Sequence, residues 1–131
     1  MLETHLKQLS LQFAFPVDME KDGEGFYHLV IDTTTTLALK ELPKGFMCKA
    51  EVSPMPSGDQ EDLVALLLRA NYLGQGTKGG VLSLNETAQT IVFFTSIAHE
   101  YNYKEFKDKI EESVNYLNYW KTRIKAETTK R

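Results

Sequence analysis

The sequence predicts an α+β domain: a twisted antiparallel sheet packed with helices, in the order α-β-β-β-α-β-β-α and completed as a homodimer. Three observations predict it. Leu2, Leu6, Leu9 and Phe13, and later Tyr103, Phe106, Ile110, Val114, Leu117, Trp120 and Ile124, recur at steps of three or four, the spacing of an apolar helix face. Phe46, Cys48, Ala50 and Val52 alternate with Met47, Lys49 and Glu51, which is strand periodicity with one face in a core and one in water. Between these stretches, Leu63 to Leu84 (LVALLLRANYLGQGTKGGVLSL) reads as a helix that is apolar all round, a glycine-rich connection and a short strand. In that helix Leu63, Leu66, Leu67 and Ala70 form one stripe, and Val64, Leu68 and Tyr72 form a second. A chain of 131 residues covers one such stripe itself, so the other predicts a partner.

The elements follow in order. Leu2 to Phe13 is an amphipathic helix stopped by Pro16, and the acidic run Asp18 to Glu24, with Gly23 inside it and Gly25 just after, is a solvated loop. Phe26 to Asp32 is a strand by its aromatic and β-branched content. Thr33 to Thr36 leads into a second strand, Thr35 to Leu42, and Pro43, Lys44 and Gly45 turn the chain into the third, Phe46 to Val52, giving an antiparallel meander. Pro54 and Pro56 end it. Ser57 and Gln60 have capping-box spacing for the central helix, whose first turn carries Asp59, Glu61 and Asp62 at the positive end of its dipole. Gly74 is a stop beyond Leu73. Val81 to Leu84 is a fourth strand, Asn85 to Gln89 a turn, and Thr90 to Ile97 a fifth strand. Its Ile91, Phe93 and Ile97 share one face and Val92 and Phe94 the other, so it too needs cover on both sides.

Composition bounds the function. An apolar fraction of 42% and a charged fraction of 25% belong to a globular chain, read as one domain over residues 1–131. The formal charge of −3 argues against nucleic acid. The charge is uneven: residues 1–100 carry 7 basic and 13 acidic side chains, and residues 101–131 carry 8 and 5. The basic end reads as a solvated helix with cations near its C-terminus. A lone cysteine, Cys48, fits a reducing compartment. MLETHLKQLS lacks the basic and apolar regions of a signal peptide, and no stretch approaches membrane-spanning length, so a cytoplasmic location is expected.

Nothing in the sequence reads as catalytic. Gly74, Gly76 and Gly79 satisfy GxGxxG, but a helix precedes the motif and a strand follows, the reverse of what dinucleotide binding requires. Gly80 and Val81 stand where a P-loop needs Lys and Ser/Thr. His5, His28 and His99 fit no metal spacing, so no metal or cofactor is expected. Cys48 reads as a small core residue, and no carboxylate pair is placed as acid and base. Asn85-Glu86-Thr87 is a glycosylation sequon by pattern alone.

At Leu66-Leu67-Leu68-Arg69-Ala70-Asn71, the glycine loop and Gly80-Val81-Leu82-Ser83-Leu84, the sequence resembles the class I type III secretion chaperones, small acidic proteins typified by the Tir chaperone. The resemblance continues through Thr90-Ile91-Val92-Phe93-Phe94 and the long helix to Ile124, and a pI near 5.6 agrees with it. It implies a homodimer in the bacterial cytoplasm, with a heterodimer as the alternative. Such a dimer binds the N-terminal region of one secreted effector, keeps it non-globular without ATP, and delivers it to the secretion apparatus, whose ATPase it contacts transiently. The resemblance also places Leu63, Val64, Leu67, Leu68, Tyr72, Leu82 and Leu84 at the dimer interface. Val92 and Phe94 join them through the surplus face of their strand. Effector grooves are expected at Leu2, Leu6, Phe13, Phe15, Phe26, Val30 and Leu42, with the effector laid down as an extended segment. Two other readings compete: a regulatory or heterodimer-forming interaction protein of the same fold, and an enzyme or nucleotide-binding protein using the Gly74–Gly80 loop. Only the last predicts that substituting Gly76 or Lys78 abolishes ligand binding.

Overall fold

A computed structural model describes residues 1–58, 60–72 and 80–128, with side chains through Ala126. The elements are α1 (Leu2–Phe13), β1 (Val17–Asp18), β2 (Tyr27–Asp32), β3 (Thr35–Glu41), β4 (Phe46–Pro54), α2 (Gln60–Asn71), β5 (Val81–Leu84), β6 (Thr90–Ile97) and α3 (Tyr103–Thr128). The strands form one six-stranded sheet in the order β1-β2-β3-β4-β6-β5. The α+β class and the expected element order hold, with one strand added. That strand, β1, falls at the edge of the acidic run read as loop. Val17 pairs with Leu29 and Asp18 with His28, and Val30 N–H donates to the Pro16 carbonyl. Two residues are too few to show a period, so only the pairing reveals it.

The residues cluster in two compact units: Met1–Ala50 with Ser96–Glu111, and Glu51–Thr95 with Glu112–Arg131. In the first, the meander register sets Tyr27 opposite Leu39, Leu29 opposite Leu37 and Leu39 opposite Cys48. Residues directly opposite share a sheet face, and all five are buried, as are Leu2, Leu6 and Leu9 of α1. The alternation expected of Phe46 to Val52 is present, and Cys48 is buried as read. Phe13 is the exception in the α1 stripe: it stands half-exposed at the helix end, just before Ala14 turns left-handed at φ 57°.

An aromatic nest closes the same unit. Phe46 meets Tyr101 and Phe106 at ring-centroid distances of 5.0 and 5.2 Å, and the His5 ring lies 5.3 to 5.9 Å from Tyr101, Tyr103 and Phe106. Both His5 ring nitrogens and the Tyr101 hydroxyl are buried with no hydrogen-bond partner. Burial, and secondarily the N-terminal ammonium, holds His5 below its ordinary value of 6.5, and burial, with a smaller contribution from Glu41, pushes the Tyr101 phenol up to about 12.

In the second unit, Leu63, Leu67 and Ala70 of α2, Leu82 of β5, Ile91 and Phe93 of β6, and Leu117, Trp120 and Ile124 of α3 are buried. Ser113 takes a buried position in α3, and Val114, expected in the stripe, is half-buried beside it. The capping box does not form: α2 begins at Gln60 itself, so that residue sits at the first helical position and not the third. Its side-chain amide instead donates to the Pro56 carbonyl at 2.8 Å. Asp59 and the connection carrying Leu73, Gly74, Gly76, Lys78 and Gly79 lie outside the described residues. Gly80 is buried, and a Cβ there would come within 2.6 Å of the Phe93 ring, so the strand entry needs a glycine for packing.

Two measurements test these packing arguments. Gly45 closes the β3–β4 turn at φ +102°, and a Cβ would collide with the Ile97 carbonyl. Gly45→Ala is therefore expected to lower stability in urea melts by roughly 3 kcal/mol or more. Gly23→Ala, with nothing within 4 Å of the added carbon, should stay within about 1 kcal/mol of the parent. The second concerns His5. A histidine with a lowered folded value binds its proton more readily when unfolded, so its contribution to stability is complete above the unfolded value near 6.5 and is lost as pH falls below it. Asp22 and Glu41, the carboxylates that are also lowered, titrate below their ordinary 3.8 and 4.5 and leave that window clear. Between pH 7.5 and 5.5 the parent's urea midpoint should fall more steeply than that of His5→Phe. Equal slopes would contradict the assignment.

Candidate functional site

The second unit presents two accessible apolar rows. On α2 the two stripes expected from the sequence separate: Leu63 and Leu67 are 4% and 5% exposed, whereas Leu68 and Tyr72 are each 66% exposed and Val64 stands beside them. On the sheet, Val81 pairs with Phe94 and Ser83 with Val92, placing these four on one face. Val81 is exposed on that face, and Val92 and Phe94 are half-buried. Leu82 lies on the opposite face with Phe93 and is core, while Leu84, on the Leu82 side, is exposed at the strand end. Of the nine residues expected at an interface, the structure thus gathers Val64, Leu68 and Tyr72 in one row and Val92 and Phe94 in the other. Leu63, Leu67 and Leu82 support them from the core. Val81 belongs to the strand row, and its neighbourhood in the sequence gave no reason to choose it over Leu82.

Burying a side chain of this size contributes roughly 1.5–3 kcal/mol. Val64, Leu68, Tyr72, Val81 and Leu84, each at least a third exposed, forgo a total comparable to an appreciable part of a domain's ~5–15 kcal/mol net stability. These side chains are the larger part of the apolar surface that the second unit leaves accessible.

The first unit holds the residues expected to meet an extended segment. Leu2, Leu6 and Phe26 are buried and offer no open groove, because α1 turns its leucines onto the core. Phe13, Phe15, Val30 and Leu42 keep accessible surface. Phe13 and Phe15 stack at 5.8 Å, held by the left-handed Ala14 and by the Ser10 hydroxyl donating to the Phe15 carbonyl at 2.7 Å. Leu11, 87% exposed and two residues before Phe13, projects from a different side of the helix and was missed because it falls off the core stripe.

Phe26 is covered in an unexpected way. Asp22 organises its loop: Oδ1 accepts from the Glu24 and Phe26 amides at 2.9 and 3.0 Å, and Oδ2 meets His28 Nε2 at 2.8 Å. The Phe26 amide, and then His28, hold the exposed Asp22 carboxyl down at about 2. The ring is roofed by two lysines of the meander's outer face, with Lys49 Nζ 4.2 Å and Lys40 Nζ 5.5 Å from its centroid. Glu24 pairs with Lys49 at 3.7 Å.

Chemistry-bearing groups do not converge to match. Among the described residues no three or more His, Cys, Asp or Glu side chains could hold a metal ion, and no helix is long and apolar enough to cross a membrane. His28 is paired with Asp22, and His99 meets the neighbouring Glu100 carbonyl at 2.7 Å.

No curated protein sequence matches the chain. Solved structures do match in fold. The HopA1–SchA chaperone–effector complex contains a chain 19% identical, with a TM-score of 0.67 over 92% of this chain and 93% of that one. The ExoU–SpcU complex from the type III secretion system of Pseudomonas aeruginosa contains one 18% identical, with a TM-score of 0.63 over 94% and 93%. YbjN from E. coli, described as a candidate transcription regulator, is 13% identical with a TM-score of 0.67 over 98% and 93%. Identities this low establish shared fold alone. The sequence itself matches a family over residues 4–121, nearly its whole length, and the chain belongs to the Tir chaperone protein (CesT) family.

Proposed function

We propose that this protein is a type III secretion chaperone that acts as a single domain in the bacterial cytoplasm, forms a homodimer, and holds the N-terminal region of a secreted effector non-globular without ATP. The family match over residues 4–121 carries this reading. The fold shared with the HopA1–SchA and ExoU–SpcU complexes supports it, as do apolar surfaces exposed well beyond what the chain's own cores use. The α2 and β5–β6 rows suit a second copy, because both are side-chain surfaces of the kind buried in obligate dimers. The Leu11, Phe13 and Phe15 end of α1, with Val30 and Leu42, suits an effector segment that gains order only when bound. Ordering costs roughly 2–5 kcal/mol of the gross interaction energy, so several shallow apolar contacts are needed together. Binding of this kind requires no acid, base or metal, and the protein is read as a non-enzyme. A same-fold interaction protein without a secretion role is the second reading, supported by the likeness to YbjN.

Light scattering on a gel-filtration column should give about twice the 14.9 kDa chain mass. Leu68→Asp is expected to give monomer, raising the dimer dissociation constant at least ~100-fold by burying an unpaired charge. A dimeric Leu68→Asp would show that the α2 row faces something else. Affinity capture from the native bacterium should retain a secreted protein through its N-terminal region. Phe13→Glu combined with Phe15→Asp should cut that capture at least ~10-fold with the dimer mass unchanged. Retention of a transcription factor in its place would favour the second reading.

A further inference from the structure

β5 lies at one edge of the sheet, paired on a single side with β6. The other side of such a strand presents unpaired backbone groups, which recruit another strand unless something covers them. Here one side chain covers those of Leu82. The Asn71 carboxamide, on the last residue of α2, accepts from Leu82 N–H at 2.8 Å and donates through Nδ2 to the Leu82 carbonyl at 2.6 Å. A primary amide carries the donor and acceptor of a peptide group in the same plane, so Asn71 occupies the place of one residue of a neighbouring strand. In a four-residue strand only two alternate positions turn their backbone outward, so filling Leu82 removes half the edge.

We infer that Asn71 is the positioning residue of the self-association surface: it locks α2 to β5 and denies the β5 edge to an incoming strand. The inference rests on the dimer reading above and specifies the contact. The two bonds fix the spacing between the helix row (Val64, Leu68, Tyr72) and the strand row (Val81, Val92, Phe94), which belong to elements joined in the sequence only through residues 73–79. An extended peptide is excluded at Leu82 because the backbone bonds it would make there are already made. The partner that fits is a folded apolar face presented as side chains, the same face of a second copy.

The test compares the parent with Asn71→Ala by hydrogen exchange and by analytical ultracentrifugation. The Leu82 amide should exchange at least ~10-fold faster in the variant, and the dimer dissociation constant should rise about tenfold. An unchanged dissociation constant with Leu82 still protected would overturn the inference. Should the variant fail to fold, the parent decides: the Asn71 side-chain amide protons should exchange at least ~10-fold more slowly than those of exposed Asn115. Equal exchange in a dimeric parent would overturn the clamp alone. A monomeric parent would overturn the self-association reading and the positioning role with it, while slow Asn71 exchange would still identify the clamp.

Discussion

A helix that is apolar on opposed faces cannot satisfy both within a small chain. That surplus on α2 is the constraint to which the second unit answers. Leu63, Leu67 and Ala70 enter the core, and Val64, Leu68 and Tyr72 cannot follow them. β6 has the same difficulty in strand form, with Ile91 and Phe93 buried and Val92 and Phe94 turned to the other face. Dispersing such residues among charges would be the simpler arrangement for a monomer. Their concentration on α2 and at the β5 end of the sheet is the surface that the proposed self-association would bury.

The first unit solves a different problem. Its core is closed by leucines of α1, by the meander and by an aromatic nest that leaves two imidazole nitrogens and a phenol unpartnered. Rings give that nest large contact area at the expense of polar satisfaction, which ties the seating of α1 to the charge on His5. Beyond this core the helix ends at Phe13, and a left-handed Ala14 leads to Phe15, whose ring stacks on that of Phe13. The apolar surface proposed for an effector segment is thus built from residues the core does not use.

Much of this was legible in the sequence wherever the signal was local and periodic. The two stripes of α2, the alternation of β4 and the long stripe of α3 were read from spacing, and the structure assigns their faces largely as expected, with Leu66 and Val114 half-buried and Ser113 in the buried place beside Val114. The residues expected to meet an effector were harder to sort, because apolar identity does not distinguish Leu6 in a core from Phe13 at a helix end. Features that depend on distant partners left no trace. β1 exists only because Val17 and Asp18 meet β2, and Gln60 turned from a capping-box member into a helix start. Asn71 bonds a residue eleven positions away, and the two lysines over Phe26 come from different strands. The role of each is decided by what the fold brings to it.

The lysine roof sets Phe26 apart in kinetic terms. Leu2 and Leu6 are buried beneath the backbone of their own helix, so uncovering them means moving α1, an event of microseconds or slower. Phe26 is buried as well, yet part of its cover is two lysine stems, side chains whose rotamers turn over in pico- to nanoseconds when exposed. Each cation–ring contact at such a site is worth only about 0.5–1 kcal/mol. The stems over the ring can therefore rearrange faster than α1 can move. Static burial ranks the three alike, and rate of access does not.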